Sequence, residues 1–238
     1  MDLKFRLHFL PIFTALWLLC TFIISYLVAV FNNHVYEFFP YISDTGAYPP
    51  ESCIFGEMLN IAAVFMLITM YVRYKVVELI DHKNIKKCKT LNNWSTLFGA
   101  LSCLGISLVA NFQETSEINV HFVGAFLAFG VGAIYCLIQA YLTWLSYSSK
   151  ALKCLRILLS GLLIPFYIIT TACSMLSFNK FDGNSQFKWN YKNSGYELHL
   201  VATFAEWIMA ILMTLYIGSY YVEFRLIKFR EISFITTE

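Results

Sequence analysis

Charged residues are scarce in this sequence, and their scarcity excludes an ordinary water-soluble domain. Only 13% of the 238 residues are charged, whereas soluble domains typically carry about 25%. Hydrophobic residues make up 58%, and the mean hydropathy is +0.62. Too few charges remain to cover a surface that faces water, so the sequence indicates a protein whose solvent is the lipid bilayer.

Motifs for metal binding, disulfide scaffolds and catalysis are also missing. Seven cysteines are present, but their spacing matches neither a zinc knuckle nor a secreted disulfide framework. The sequence has no paired HxxxH, no nucleophile elbow and no glycine-rich phosphate loop. We therefore expect no cofactor, no metal ion and no nucleic-acid partner, and we assign no catalytic residues.

Long apolar segments occur six times along the chain. A helix needs about 20 apolar residues to cross roughly 30 Å of hydrocarbon, and lipid offers no partners for free backbone groups. We predict an all-α polytopic membrane protein, with a single six-helix transmembrane domain over residues 1–238. The predicted spans are approximately 9–31, 53–72, 94–112, 120–145, 157–178 and 198–222.

The distribution of lysine and arginine predicts the orientation. Six spans place both termini and two loops on one side of the membrane, and that side holds 14 of the 17 basic residues. The other side holds only Lys180, Lys188 and Lys192. Because cytoplasmic segments carry the excess of positive charge, we predict that the N- and C-termini are cytosolic.

Polar side chains within the spans concentrate toward the opposite, non-cytosolic end. Such residues are costly in lipid and are therefore candidates for function. We predict a shared polar pocket there, between the second, third, fourth and sixth spans, and expect unusual polar chemistry at that end only. Its candidate residues are Glu57, Asn60, Asn111, Gln113, His121, His199, Thr203 and Glu206. Three interpretations stay open: hydrogen bonds that only join helices, a site for a lipid headgroup or small polar ligand, and a catalytic site.

Small residues at spacing four predict that the third and fourth spans pack as an antiparallel pair, because they let helix backbones approach closely. They are Gly99, Cys103 and Ser107 in the third span, and Gly124, Ala128 and Gly132 in the fourth. Pro165 is predicted to kink the fifth span. The basic loop between the second and third spans is a candidate contact for anionic lipid, although its charges also serve to fix the topology. It contains Lys83, Lys86, Lys87 and Lys89.

The loop after the first span combines prolines and a glycine with polar residues, which is typical of an ordered cap rather than a flexible tether. Its distinctive residues are Pro40, Tyr41, Ser43, Asp44, Gly46, Pro49, Pro50 and Glu51. Further distinctive pieces follow in order along the chain: Asn60, Arg73-Tyr74, residues 109–113 (VANFQ), His121 with Gly124, and Glu206-Trp207.

With these pieces in this order, the chain resembles the damage-regulated autophagy modulator (DRAM) family of six-span proteins along its whole length. The resemblance implies a non-enzymatic protein of the lysosomal or endosomal membrane that promotes autophagy and stress-linked apoptosis. Other endomembranes or the plasma membrane are the alternative location. Wider relatives imply two alternative functions: a membrane scaffold for a phosphoinositide kinase or for lipid organisation, and a lipid-handling transporter or enzyme that uses the polar pocket. Membrane lipids are the implied partners, and the sequence does not identify a protein partner.

Overall fold

The computed structural model describes residues 7–80, 85–146 and 148–227. Within them, six long helices are connected by loops, and no strand occurs. The helices are α1 Leu10–Phe31, α2 Glu51–Ile80, α3 Ile85–Asn111, α4 Ile118–Leu145, α5 Lys150–Lys180 and α6 Tyr196–Gly218, followed by the short helix α7 Tyr221–Phe224. A 3-10 turn, Leu7–Phe9, precedes α1, and another, Asp44–Gly46, lies in the first loop.

All six long helices are long and apolar enough to span a membrane, so the prediction of an all-α, multi-pass membrane protein is confirmed. Each helix packs against the next, and α6 packs against α1, which closes the bundle. The ring of His8 lies 5.7 Å from that of Tyr221, so the start of α1 and the end of α6 meet. We call this the terminal end of the bundle and the opposite one the cap end.

Three helices continue beyond the apolar segments from which they were predicted. Helix α2 runs to Ile80, α3 starts at Ile85 and α5 starts at Lys150. Lysine and arginine side chains can lay their stems along apolar surface and reach water with their charged tips, so a basic sequence does not end a helix at the membrane boundary. Pro165 lies inside α5, and the kink expected there remains a prediction.

Helices α3 and α4 pack together as predicted, but α3 uses a different face from the one predicted. A Cβ atom on Gly105 would lie 2.4 Å from the backbone nitrogen of Ala128 and 2.6 Å from the carbonyl oxygen of Gly124. The Ser102 hydroxyl donates a 2.9 Å hydrogen bond to the Ala128 carbonyl, within the π-helical part of α4, Phe126–Val131. This bond satisfies a carbonyl where the regular α-helical pattern is interrupted.

Two of the three α3 residues predicted for that contact, Cys103 and Ser107, face α2 instead. Cys103 Sγ lies 3.9 Å from Met70 Sδ, and the Ser107 hydroxyl donates to Asn60 Oδ1 at 2.8 Å. A Cβ on the third, Gly99, would meet Met70 Sδ of α2 at 2.7 Å and the Tyr135 ring of α4 at 3.1 Å, so Gly99 lies against both helices. At 3.6 residues per turn, Ser102 and Gly105 lie on a neighbouring face of α3, so spacing alone identified a small-residue stripe but not its partner helix.

The close approach at Gly105 gives a test with an internal control. We expect Gly105→Ala to lower the free energy of unfolding by about 1–3 kcal/mol, because the methyl group overpacks the contact with α4. Among the described residues, no atom from outside the local helix backbone lies within 4 Å of a Cβ added to Gly161 in α5. Gly161→Ala should therefore be neutral or stabilising by up to about 1 kcal/mol. Thermal unfolding of the purified protein in lipid nanodiscs measures both, and equal midpoints would contradict the assigned contact.

Candidate functional site

The first loop is folded into the cap end of the bundle, and we call its residues 40–47 the cap. From α6, the Trp207 indole donates to the Pro40 carbonyl at 2.9 Å. From the loop after α3, the Thr115 hydroxyl donates to the Ala47 carbonyl at 2.9 Å. An aromatic ring fills the space beside Gly46, where a Cβ would lie 2.3 Å from the ring of Phe55. Glycine is therefore required at this position.

Two hydroxyl pairs join the cap to α1 and α5. The Thr45 hydroxyl lies 2.9 Å from that of Ser25 in α1 and donates to the Ile42 carbonyl within the cap. The Tyr41 hydroxyl lies 2.7 Å from that of Ser174 in α5. Burial raises the pKa of the Tyr41 phenol, with the charges of Glu206 and Asp44 adding to the effect. The phenol therefore remains a protonated partner for Ser174.

Three carboxylates and one imidazole lie near enough to one another at the cap end to interact through their charges. We call them the carboxylate cluster: Asp44 from the cap, Glu114 from the loop after α3, His121 from α4 and Glu206 from α6. Glu206 Oε2 accepts the backbone N–H of Ile42 at 2.7 Å. Asp44 is 2% exposed, and among the described residues its Oδ2 atom finds no hydrogen-bond partner. The charges of Asp44, Glu114 and Glu206 act on one another.

The imidazole of His121 is held at both nitrogens. Its Nδ1 atom lies 2.7 Å from the Phe112 carbonyl oxygen, and its Nε2 atom lies 3.1 Å from Glu114 Oε1. Because a carbonyl oxygen only accepts, Nδ1 carries a proton. A proton is also held between Nε2 and the Glu114 carboxylate, so this pair is an internally compensated ion pair or its neutral equivalent.

The pKa values of the two cluster members that lie in loops, Asp44 and Glu114, are shifted in opposite directions. Burial, together with the charges of Glu114 and Glu206, raises the pKa of Asp44 well above its usual value. Burial opposes ionisation of Glu114 as well, but the hydrogen bond and charge of His121 outweigh it and lower the pKa of Glu114. The environment thus favours a neutral Asp44 beside an ionised Glu114.

The structure does not bring together all eight residues of the predicted pocket. His121 and Glu206 belong to the carboxylate cluster, whereas Glu57 is exposed on α2. A Cβ on the preceding residue, Gly56, would lie 2.7 Å from the Ala110 carbonyl oxygen. Successive residues differ by about 100° around a helix, so the face that packs on α3 turns Glu57 away from it.

Asn60 and Asn111 form a separate contact between α2 and α3, in which each amide donates to the other's oxygen at 3.1 Å. His199 is buried against the Trp189 ring, with centroids 4.3 Å apart. The Thr203 hydroxyl donates to the Leu200 carbonyl within α6, and Gln113 is half-buried. These positions fit helix packing better than a common ligand site.

Two members of the carboxylate cluster were not among the predicted pocket residues. Asp44 was placed only with the distinctive first loop, and Glu114 lies in the short connection between α3 and α4. Their meeting depends on how two loops fold onto the bundle, which helical spacing does not report. The available signal was an acidic residue in a short loop just before His121.

A second buried ionic group, at the terminal end, corrects the expectation that unusual polar chemistry is confined to the cap end. Glu223 in α7 lies 2.8 Å from Arg73 of α2 and 2.6 Å from Arg156 of α5. The three side chains are between 0% and 3% exposed. The ring of Tyr220 lies 5.3 Å and 4.7 Å from the two guanidinium carbons. We call this group the arginine–glutamate clasp.

Hydrogen bonds to neighbouring polar groups support both arginines of the clasp. Arg73 donates to Gln139 at 2.8 Å, Arg156 donates to Ser219 at 3.0 Å, and both donate to Thr143. Gln139 and Thr143, four residues apart inside the fourth span, were the sequence signal for a polar partner at this depth. Without the two clasp arginines, the predicted cytosolic side still holds twelve basic residues and the other side three. The predicted orientation therefore keeps its basis.

The structure describes the predicted basic loop only in part. Lys83 and the side chains of Lys86 and Lys87 lie outside the described part of the chain, and Lys89 is exposed near the start of α3. Within residues 7–80, 85–146 and 148–227, no three His, Cys, Asp or Glu side chains are arranged to hold a metal ion.

Comparison with known proteins identifies similar chains that extend over almost the whole length. DNA damage-regulated autophagy modulator protein 2 of Mus musculus is 41% identical over 94% of this chain and 86% of its own length. DNA damage-regulated autophagy modulator protein 1 of Homo sapiens is 35% identical over 93% of this chain and 92% of its own. Modulator of macroautophagy TMEM150B-B of Xenopus laevis is 30% identical over 90% and 84%. No solved structure matches the chain.

A protein family described as the Frag1/DRAM/Sfk1/Cwh43P N-terminal domain matches residues 6–227. The match includes all six long helices, the cap, the carboxylate cluster and the clasp. The resemblance noted from the first loop and the later sequence pieces is therefore confirmed, and the chain belongs to the Frag1/DRAM/Sfk1/Cwh43P family.

Proposed function

We propose that this chain is a non-enzymatic regulator that promotes autophagy and stress-linked apoptosis from the lysosomal or endosomal membrane, with both termini in the cytosol. The observation that carries the proposal is its 41% identity, over 94% of the chain, to a protein named as an autophagy modulator. Two further relatives bear names of the same kind. All three are named as modulators, which supports a regulatory role over an enzymatic one.

The carboxylate cluster supports a location where the cap end faces an acidic lumen. Carboxylates that are buried together are less costly when a proton neutralises one of them. In the proposed orientation the cap and the cluster lie on the luminal side, and the basic terminal end faces the cytosol. Both assignments follow from the same six-span topology.

Contact between the basic loop and anionic lipid is a second part of the proposal. The exposed Lys89 stands near the start of α3, and Lys83, Lys86 and Lys87 are its neighbours in sequence. Each basic charge near the cytosolic leaflet attracts anionic lipid by about 1 kcal/mol. The same charges suit a scaffold that collects phosphoinositides, which is the alternative function.

Complementation in cells tests the proposed function. Cells that lack the protein should show less degradation of long-lived proteins in response to starvation, counting only the part that lysosomal inhibitors block. Re-expression at the native level should restore it, and the protein should co-distribute with a dye for acidic compartments. Unchanged degradation in cells that lack the protein would contradict a role in autophagy.

A variant with all four loop lysines changed to alanine extends the same experiment. Lower autophagic degradation, with normal protein level and normal accessibility of tags at both termini, would favour the scaffold alternative. If tag accessibility is altered, the lysines act on topology instead.

A further inference from the structure

The carboxylate cluster has an imbalance of buried charge. His121 compensates Glu114, but among the described residues no lysine or arginine forms an ion pair with Asp44, Glu114 or Glu206. If Asp44 and Glu206 were both ionised, two like charges would be buried with no cation to balance them. Burying uncompensated charge costs several kcal/mol per ion, so one of the two must be neutralised.

The hydrogen bonds distinguish the two carboxyl groups. One oxygen of Glu206 has a donor, the backbone N–H of Ile42 at 2.7 Å, and such a donor favours an ionised carboxylate. The buried Oδ2 atom of Asp44 has no partner within the part of the chain that the structure describes. An ionised oxygen in that position would lose its hydration without gaining a donor, whereas a protonated carboxyl would not hold a charge there.

The groups that face Asp44 come from several elements packed around it. Glu114 comes from the loop after α3 and Glu206 from α6, and both add negative charge. Tyr41 lies in the same loop as Asp44, and His121 of α4 is engaged by Glu114. Burial and the two carboxylates raise the pKa of Asp44, in agreement with the charge imbalance and the unpartnered oxygen.

We propose that the carboxylate cluster is a proton-binding site, in which a proton on Asp44 balances the charge of Glu206 and keeps the cap seated on the bundle. Loss of the proton places a second negative charge beside Glu206 and releases the cap. A proton suits the site better than a metal ion, because no three candidate ligands among the described residues are arranged around one point. The proposal does not depend on the role in autophagy.

The cap is the element that the proton controls because Asp44 is part of it. Asp44 begins the 3-10 turn Asp44–Gly46, and Ile42, two residues earlier, is tied to Glu206. Moving Asp44 into water therefore also separates Ile42 from α6. The contacts of Tyr41 with α5 and of Thr45 with α1 would then open together.

The direction of the pH dependence follows from linkage. The pKa of Asp44 is higher with the cap seated than with it released, where the ordinary value of 3.8 applies. Between these two pKa values, release gives up one proton, so the fraction of released cap rises about tenfold per pH unit. Glu114, whose pKa is lowered, is ionised in both states above its ordinary value of 4.5 and adds no slope there.

Hydrogen–deuterium exchange on the purified full-length protein in lipid nanodiscs tests the proposal. The measured quantity is the protection factor of residues 40–47, corrected for intrinsic exchange, from about pH 5 to about pH 7.5. Protection in the unmodified protein should fall about tenfold per pH unit over part of this range. Asp44→Asn should keep high protection throughout, and Glu57→Gln, a change to an exposed carboxylate at the same end, should behave like the unmodified protein.

A second variant covers the case in which Asp44→Asn does not fold. Glu206→Gln keeps an acceptor for the Ile42 N–H and removes the charge that faces Asp44, so protection at the highest pH should rise above that of the unmodified protein. Equal protection of the unmodified cap at all pH values would overturn the proposal, as would an unchanged pH dependence in both variants. Protection restored at neutral pH by sodium or calcium chloride would show a cation site instead and would also overturn it.

Discussion

Glu223→Gln is expected to destabilise the terminal end of the bundle more than any other single change considered. The substitution leaves Arg73 and Arg156 buried, at 1% and 0% exposure, without a counter-ion. Removing one partner of a buried ionic group costs about 3–5 kcal/mol, a large share of the 5–15 kcal/mol that holds a typical protein folded. We expect a much lower unfolding midpoint in nanodiscs and a much lower protein level in cells.

The exposed pair of Lys75 and Glu78, 2.9 Å apart in α2, supplies the control. Glu78→Gln removes a carboxylate from a solvated ion pair in the same part of the molecule, so the unfolding midpoint should hardly change. A third variant replaces Arg73, Arg156 and Glu223 together with leucine or methionine. It removes the uncompensated charges and should recover part of the lost stability. Equal midpoints for Glu223→Gln and Glu78→Gln would contradict the clasp.

Trp207→Ala is expected to release the cap from α6. The substitution removes the hydrogen bond to the Pro40 carbonyl and the edge-on ring contacts with Phe22, Tyr26 and Phe39, whose centroids lie 6.3 to 6.4 Å away. Truncating a large packed aromatic side chain typically costs about 3–5 kcal/mol. Trp207 is half-buried, so the lower part of this range applies.

A graded series separates the hydrogen bond of Trp207 from its packing. Trp207→Phe keeps a ring but loses the indole N–H, and should cost about 1 kcal/mol. Trp94→Ala is the control, because Trp94 is 54% exposed on α3 and far from the cap in sequence. Exchange of the amides of residues 40–47 should rise in the order Trp94→Ala, Trp207→Phe, Trp207→Ala. A cap that is equally protected in all three would contradict its attachment to α6.

Sequence reasoning succeeded where burial in lipid is decided by local composition. Apolar length identified the six spans, and Gly124 and Ala128 correctly indicated that α4 packs closely on α3. It failed where the rotation of a helix about its axis, or the folding of a loop, determines which side chains come together. Glu57 lies at the predicted depth, but its helix turns it outward, and Glu114 reaches the carboxylate cluster only because the loop after α3 folds under the cap.

The clasp was missed for a related reason. An arginine at the edge of an apolar segment is normally interpreted as an interfacial charge that fixes topology, and Arg73 and Arg156 both stand at such edges. Their burial depends on Glu223, which lies beyond the sixth span in the one-turn helix α7. The three residues are far apart in the chain, so only the closure of the bundle brings them together.

The two polar groups give the ends of the bundle different properties. At the terminal end, Glu223 pairs with two arginines that also have neutral hydrogen-bond partners. Every charge there has a partner, although one positive charge is in excess, and the group is suited to hold α7 against α2 and α5. At the cap end, the negative charges exceed the positive ones, so the group is suited to respond to protons. Full hydrogen bonding favours rigidity, whereas an unpartnered buried oxygen leaves a contact that can open.

Disulfide trapping between the cap and α1 tests whether the first loop is folded into the membrane bundle. The hydroxyls of Ser25 and Thr45 are 2.9 Å apart and fully buried, so the Cβ atoms are close enough for a disulfide with little movement. In a variant without the seven native cysteines, Ser25→Cys with Thr45→Cys should form a nearly complete cross-link under mild oxidation, whereas Ser25→Cys with Tyr36→Cys should not. If both thiols of the first pair stay free and react readily with a water-soluble maleimide, the first loop is not folded into the bundle.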